Sequence, residues 1–272
     1  MPKTRLTLEF LGSGTSVGVP CVACSCAVCT STDSRNKRLR PSALVRAWEE
    51  GKPEPLCTVI IDTGPDFRTQ MLRANVRRLD AVIISHYHYD HVVGIDDVRR
   101  FNHTQMQILN CWGTEHSLTR LRHSFSYIFN DGTELVPGFP NLRGKTIIPF
   151  EPFEIGPIRF EPLELDHAVM ASLGFRISVG DSPAIAYCLD VKRIPPTSYD
   201  RLEGVDTLVL DMLREKIHPT HMNLEESLAA VARIRPRRAY FSHIAHETDH
   251  AATEAKLPEN IRIAYDGLIL EV

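Results

Sequence analysis

The stretch LDAVIISHYHYDH, residues 79–91, constrains this chain more than any other. An apolar run of strand character opens directly onto Ser85-His86-Tyr87-His88-Tyr89-Asp90-His91. In an extended segment side chains alternate, so His86 and His88 point to one side while Tyr87 and Tyr89 point away. After a turn, Asp90 and His91 can come back toward the same centre. Imidazole nitrogen and carboxylate oxygen suit zinc, manganese and iron, and such sites need three or four protein donors per ion. One loop can therefore seed two ions. A merely polar surface loop would leave this crowding of ligand types unexplained.

The rest of the chain repeats the placement. RLTLEFL (5–11) alternates like a strand and runs into the glycine-punctuated GSGTSVG (12–18). That loop leads to Pro20 and cysteines and not to a helix, so it lacks the context of a phosphate cradle. SALVRAW (42–48) and LCTVIID (56–62) read as strands, and PDFRTQMLRANV (65–76) as a helix. Helices are also expected over 92–101 and 114–129, with a strand at 106–111 between them. Residues 136–144, VPGFPNLRG, read as a Pro/Gly-rich surface excursion. IRFEPLELDH (158–167), SLGFRISVG (172–180), SPAIAYCLD (182–190), DTLVLDM (206–212) and RAYFSH (238–243) are β-like, and IRIAYDGLILEV (261–272) reads as two short strands. Three of these runs end on His167, Asp190 and His243. Between the last two, NLEESLAAVARI is a helix whose Asn223 and Glu226 have capping-box spacing. A layered α/β fold can gather such strand ends at one rim.

Length and charge bound the function. A chain of 272 residues that is 43% hydrophobic can bury a real core within one domain. Its 31 basic and 34 acidic side chains give a formal charge of −3, which offers no basic field for extended nucleic acid. No apolar leader and no run of roughly 18 apolar residues is present, so no membrane is expected and the cytoplasm is the default. RNKRLRPS (35–42) reads as a solvated basic face, with a phosphate-binding role for Arg35 or Arg40 as its alternative.

Seven cysteines, four of them within residues 21–29, point to metal and not to a disulfide framework. Cys57, Cys111 and Cys188 lie in apolar stretches and read as core thiols.

HYHYDH matches the H-x-H-x-D-H signature of the metallo-β-lactamase fold, and His167, Asp190 and His243 follow in the order that superfamily uses. GSGTSVGVP, CSCAVC, IDTGPDFRTQM, HMNLEES and SHIAH resemble the phosphoribosyl cyclic phosphate phosphodiesterase family of the carbon–phosphorus lyase pathway. The resemblance spans essentially the whole chain. It implies a four-layer αββα sandwich over residues 1–272, with an N-terminal cysteine-rich zinc loop at about 20–30. It also implies two divalent ions, manganese or zinc: His86, His88 and His167 on one, Asp90, His91 and His243 on the other, and Asp190 bridging. Asp90, Asp190 and His221 become the catalytic candidates, His221 assisting the leaving group or binding phosphate, with His218 as its rival. Asp62 is expected to orient a metal-bound imidazole from behind, or else to be a plain turn cap. The family's third zinc falls on Cys24, Cys26, Cys29 and His246, while Cys21 offers a rival all-cysteine site.

The implied activity is hydrolysis of a small cyclic phosphate, of ribose or nucleotide type, by metal-bridged hydroxide. Acyl hydrolysis of a thioester or lactone is the second reading, because one fold hosts many chemistries. A non-catalytic accessory of cofactor biosynthesis is the third. A small phosphodiester is the expected partner, and a homodimer is left open.

Overall fold

The computed structural model describes residues 4–272. Its strands are β1 (Thr4–Gly12), β2 (Ser42–Glu49), β3 (Cys57–Ile61), β4 (Ala81–Ile83), β5 (Leu109–Gly113), β6 (Leu142–Thr146), β7 (Phe153–Ile155), β8 (Ile158–His167), β9 (Met170–Val179), β10 (Ile185–Cys188), β11 (Thr207–Asp211), β12 (Arg238–Ser242), β13 (Ile261–Ile263) and β14 (Ile269–Glu271). They form two seven-stranded sheets, ordered β14-β1-β2-β3-β4-β5-β6 and β13-β12-β11-β10-β9-β8-β7.

Alternation along the central strands explains the layering. Val45, Val59, Ile61, Ile83, Tyr187 and Val209 point between the sheets, where they meet Phe10, Phe160 and Phe175. Their neighbours Leu44, Ile60 and Val82 face outward under the helices Phe67–Arg73, Arg99–Gln105 and Glu115–Ser124. On the other sheet Ala186, Cys188, Leu208 and Leu210 face outward against the helix Leu224–Ile234. Strands covered on both faces need apolar residues at every position, which is why these segments read as continuous hydrophobic runs. Helix, sheet, sheet, helix is thus the αββα sandwich. Cys57, Cys111 and Cys188 are buried core thiols.

Strand direction places the site. β3, β4, β5 and β6 run parallel, as do β10, β11, β12 and β13. Parallel strands deliver all their carboxyl ends to one edge, where open α/β sheets bind their ligands. The long antiparallel hairpin β8–β9, in register from Ile158↔Val179 to His167↔Met170, brings His167 to the same edge. Asp62, Asp190 and His243 each follow a parallel strand with left-handed backbone, φ 66°, 52° and 64°. Asp and His tolerate that region better than branched residues, at a cost of about 1–2 kcal/mol each.

Several local expectations are corrected. The excursion at 136–144 ends in strand β6 from Leu142, because Leu142 is fully buried and pairs with Leu109. Helix 65–76 contracts to Phe67–Arg73 and 114–129 to Glu115–Ser124, while 92–101 splits into a 3-10 turn, Val93–Val98, and the start of Arg99–Gln105. The basic run is not uniformly solvated. Arg38 is buried and donates to Ser13 Oγ at 2.8 Å and Ala264 O at 2.6 Å, so its guanidinium finds partners distant along the chain instead of water. Arg35 and Arg40 are held by Asp33 and Asp66. Among the described residues no helix is long and apolar enough to cross a membrane.

Candidate metal centre

β4 ends under the loop 85–91, which is clamped from below. Thr63 N–H donates to His91 O at 2.7 Å, and Gly94 N–H to Thr63 O at 2.8 Å. A Cβ on Gly64 would meet Asp90 O at 2.1 Å, so only glycine lets the two segments approach this closely. A short helix, Tyr89–Val92, then swings Asp90 and His91 inward and leaves Tyr89 exposed.

Ligand-type atoms gather at the rim in four overlapping groups, two of which join His221 to His167 and Asp190 and to Asp211 and His243. Those of His86, His88 and His167 lie within 4.8 Å of one another, and so do those of Asp90, His91, Asp190 and His243. Asp190 spans the groups: its carboxylate lies 3.1 Å from His91 Nε2, 3.5 Å from His243 Nε2 and 3.8 Å from His167 Nε2. Yet His91 Nε2, His243 Nε2 and Asp190 Oδ2 are buried without hydrogen-bond partners. Orphaned buried polar atoms cost about 1–3 kcal/mol each, a cost that a coordinated cation removes. The donor set therefore fits divalent ions.

The surroundings aim these donors. His91 Nδ1–H donates to Asp62 Oδ2 at 2.7 Å, and Ser85 donates to both Asp62 oxygens, through N–H at 2.8 Å and Oγ–H at 2.7 Å. His167 Nδ1–H donates to Thr220 O at 3.0 Å. In both rings the outer nitrogen carries the hydrogen, leaving the Nε2 lone pair for the centre. Burial, with His91 beside it, pushes the His86 imidazole well below its usual range. On His91 burial opposes charge, but Asp190, Asp90 and Asp62 hold it well above, so Nε2 carries a proton that a bound cation would displace to free the lone pair. Asp190 is held well below the carboxylate range, against burial, by His243 and His91.

His221 occupies the lip. Its ring is 4.8 Å from that of His167 and stacks on His243 at 4.7 Å. Its Nδ1–H donates at 2.7 Å to Asp211 Oδ2, which also accepts Val191 N–H at 3.1 Å. Burial works against its charge, yet Asp211 overcomes this and raises it to about 9. His218 stands one layer further out, 5.3 Å from His221. Asp211 is the functional residue that reading the sequence overlooked. It closes the run DTLVLD much as Asp190 closes AIAYCLD, and that parallel could have exposed it.

The cysteines form a separate cluster. His246 Nδ1 lies 3.2, 3.5 and 3.7 Å from the sulfurs of Cys24, Cys26 and Cys29. Cys26 caps the turn Ala27–Thr30 by accepting Cys29 N–H, and this bond, with His246, lowers its thiol to about 6. Cys21 borders this group without joining it, its N–H donating to Cys29 Sγ at 3.3 Å and its thiol to Gly18 O at 3.2 Å. A bridge between Gly14 and Ile244 ties this N-terminal region to the segment after His243.

Residues 58–244 match the family described as Beta-lactamase superfamily domain. The chain belongs to the metallo-β-lactamase superfamily of metal-dependent hydrolases. Within it, a crystal structure described as a new diphosphatase from the PhnP family is 36% identical, with a TM-score of 0.87 over 99% of this chain and 98% of that one. This metallo-β-lactamase protein is thus a member of the PhnP family. Zinc-bound PqqB from Methylobacterium extorquens shares the fold, at TM-score 0.76 and 21% identity over 98% of this chain and 100% of that one. A relative from Porphyromonas gingivalis named Octanoyltransferase is 34% identical over 262 residues, which are 95% of this chain and 50% of the relative. The chain spans about half the length of that curated relative.

Proposed function

We propose that this chain is a phosphodiesterase that hydrolyses small, cyclic-type phosphate diesters. One observation carries the reading: a histidine backed by a buried carboxylate, His221–Asp211, stands at the lip of two adjoining ligand groups. His86, His88 and His167 would hold one manganese or zinc ion, Asp90, His91 and His243 the second, and Asp190 both. Such ions supply Lewis acidity, lowering the pKa of water and neutralising phosphoryl charge. Asp62 and the Thr220 carbonyl keep the ligand rings oriented. With Nδ1 engaged by Asp211, His221 holds a proton at Nε2 for the departing oxygen, and Asp211 stabilises the ring throughout. Cys24, Cys26, Cys29 and His246 would close a tetrahedral zinc that has no open position and so serves structure.

The diphosphatase relative supports phosphorus chemistry, while the longer relative's name favours acyl chemistry as a second reading. Metal-loaded protein offered bis-p-nitrophenyl phosphate, 2′,3′-cyclic nucleotides, thioesters and lactones separates them. Diester turnover that a chelator abolishes is expected. Thioester or lactone turnover with no diester turnover would overturn the proposal.

A further inference from the structure

Three consecutive residues, Asp190, Val191 and Lys192, serve the rim in three different ways. Asp190 lies among the ligand nitrogens of His91, His167 and His243, and Val191 N–H steadies the Asp211 oxygen that holds His221. Lys192 reaches the main chain of His221 itself, its Nζ lying 3.4 Å from His221 O.

The loop that carries His221, residues 212–223, runs from β11 to the helix Leu224–Ile234. Its arms pair at the base, where Leu213 N–H donates to Met222 O at 3.0 Å and Leu224 N–H to Arg214 O at 3.0 Å. Met222 N–H reaches across to Val191 O at 2.9 Å. His221 stands one residue beyond that base. Its ring is held by Asp211, but among the described residues its carbonyl accepts a hydrogen bond from Lys192 alone.

Lys192 can hold that carbonyl because its ammonium is itself fixed. Nζ lies 2.6 Å from Glu226 Oε1, and Lys192 N–H donates to Asp166 O at 2.7 Å, so both ends of the residue are anchored. Glu226 divides its carboxylate. Oε2 accepts Asn223 N–H at 2.9 Å in the capping box, which leaves Oε1 for the ammonium. The Lys192 side chain is 20% exposed, so the pair is partly withdrawn from the water that weakens surface ion pairs. An ammonium has three donors, and one nitrogen can therefore serve the carboxylate and the carbonyl together. Lys192 braces His221 against the first turn of the helix.

A general acid acts only when its nitrogen points at the departing oxygen, and a ring is aimed by its bonded nitrogen and by the main chain it springs from. Asp211 fixes the first. We propose that Lys192, backed by Glu226, fixes the second and is a positioning residue for His221. The assignment deepens the phosphodiesterase reading above and rests on it for the effects on rate.

The test compares Lys192→Met, which keeps the stem and removes the ammonium, with Lys192→Arg, which keeps the donors. On metal-loaded protein, Lys192→Met should lower kcat about tenfold for a diester with an alkoxide leaving group, since a misplacement of about 1 Å costs up to roughly 10²-fold. The p-nitrophenyl diester should lose less than about threefold, with KM and metal content held, and Lys192→Arg should restore most of the alkoxide rate. In a His221→Ala background Lys192→Met should cost nothing further, because its effect runs through that ring. The His221 Nδ1 proton, identified in the nuclear magnetic resonance spectrum by its loss in His221→Ala, should shift in Lys192→Met and return in Lys192→Arg. Equal losses on both diesters, losses that multiply with His221→Ala, or an unmoved Nδ1 proton would overturn the proposal. A shifted proton in a protein that hydrolyses no diester would uphold the placement of His221 by Lys192 and overturn the phosphodiesterase reading instead.

Discussion

Asp211→Asn tests the chemistry most directly, because it changes charge while keeping shape. Asp211 is fully buried, and one of its oxygens accepts both His221 Nδ1–H at 2.7 Å and Val191 N–H at 3.1 Å. An asparagine oxygen in that place keeps both bonds, so ring orientation survives and only the charge-assisted part is lost. Charged hydrogen bonds are worth ~1.5–3 kcal/mol against ~1 kcal/mol for neutral ones. The difference, about 1–2 kcal/mol, corresponds to roughly a five- to thirtyfold fall in kcat. His221→Ala, which removes the ring itself, should cost more, roughly 10²–10⁴-fold. The assay compares a diester with a p-nitrophenolate leaving group against one with an alkoxide, since only the poorer leaving group needs a proton. Asp211→Asn should impair the alkoxide substrate more, with metal content unchanged, because Asp211 faces His243 Nδ1, at 4.0 Å, and not the Nε2 that faces Asp190. Equal loss on both substrates would refute the proton-donor role and leave His221 a phosphate-binding group.

Asp190→Ala should abolish diester turnover and lower the metal bound at the dinuclear centre, measured by elemental analysis, because this carboxylate faces His91, His167 and His243 together. The cysteine-bound zinc should stay. His246→Ala should lose that zinc and melt at lower temperature, whereas Cys21→Ser should do neither, since Cys21 donates to Gly18 O and stands outside the group of four. Zinc lost on Cys21→Ser but kept on His246→Ala would reverse the assignment.

What the sequence made legible follows from where apolar residues can hide. Strand β8 was readable to its last residue because its run ends on His167, and the capping box of Leu224–Ile234 stands in plain view as Asn223 and Glu226. Helix Pro196–Leu202 was not, because IPPTSYDRL reads as a turn until Pro196 is recognised as the first helical residue. Arg38 looked solvated because its partners Ser13, Ala264 and His250 lie far along the chain. Cys21 stood as a rival to His246 for the same reason: spacing alone offers Cys21, the family resemblance favours His246, and the Gly14–Ile244 bridge ties the cysteine region to the segment that carries His246.

Asp211 was hidden differently. The apolar run continues past it to Met212 and Leu213, so its carboxylate looked like an interruption and not an end, and its partner lies ten residues on. Asp62, Asp190 and His243 sharpen the point, for all three adopt left-handed backbone that local propensity does not foretell. Each spends about 1–2 kcal/mol of the fold's stability on that turn. Such strain persists only where surrounding structure over-determines it, and here that structure is two sheets whose parallel strands end together. Left-handed backbone also occurs elsewhere, at Ala23, Asn75, Met106, Phe150, Ala168 and Arg235. But Asp62, Asp190 and His243 adopt it at the ends of three parallel strands, with side chains that face the candidate ions or orient their ligands, and that coincidence is an argument that the rim was shaped for chemistry.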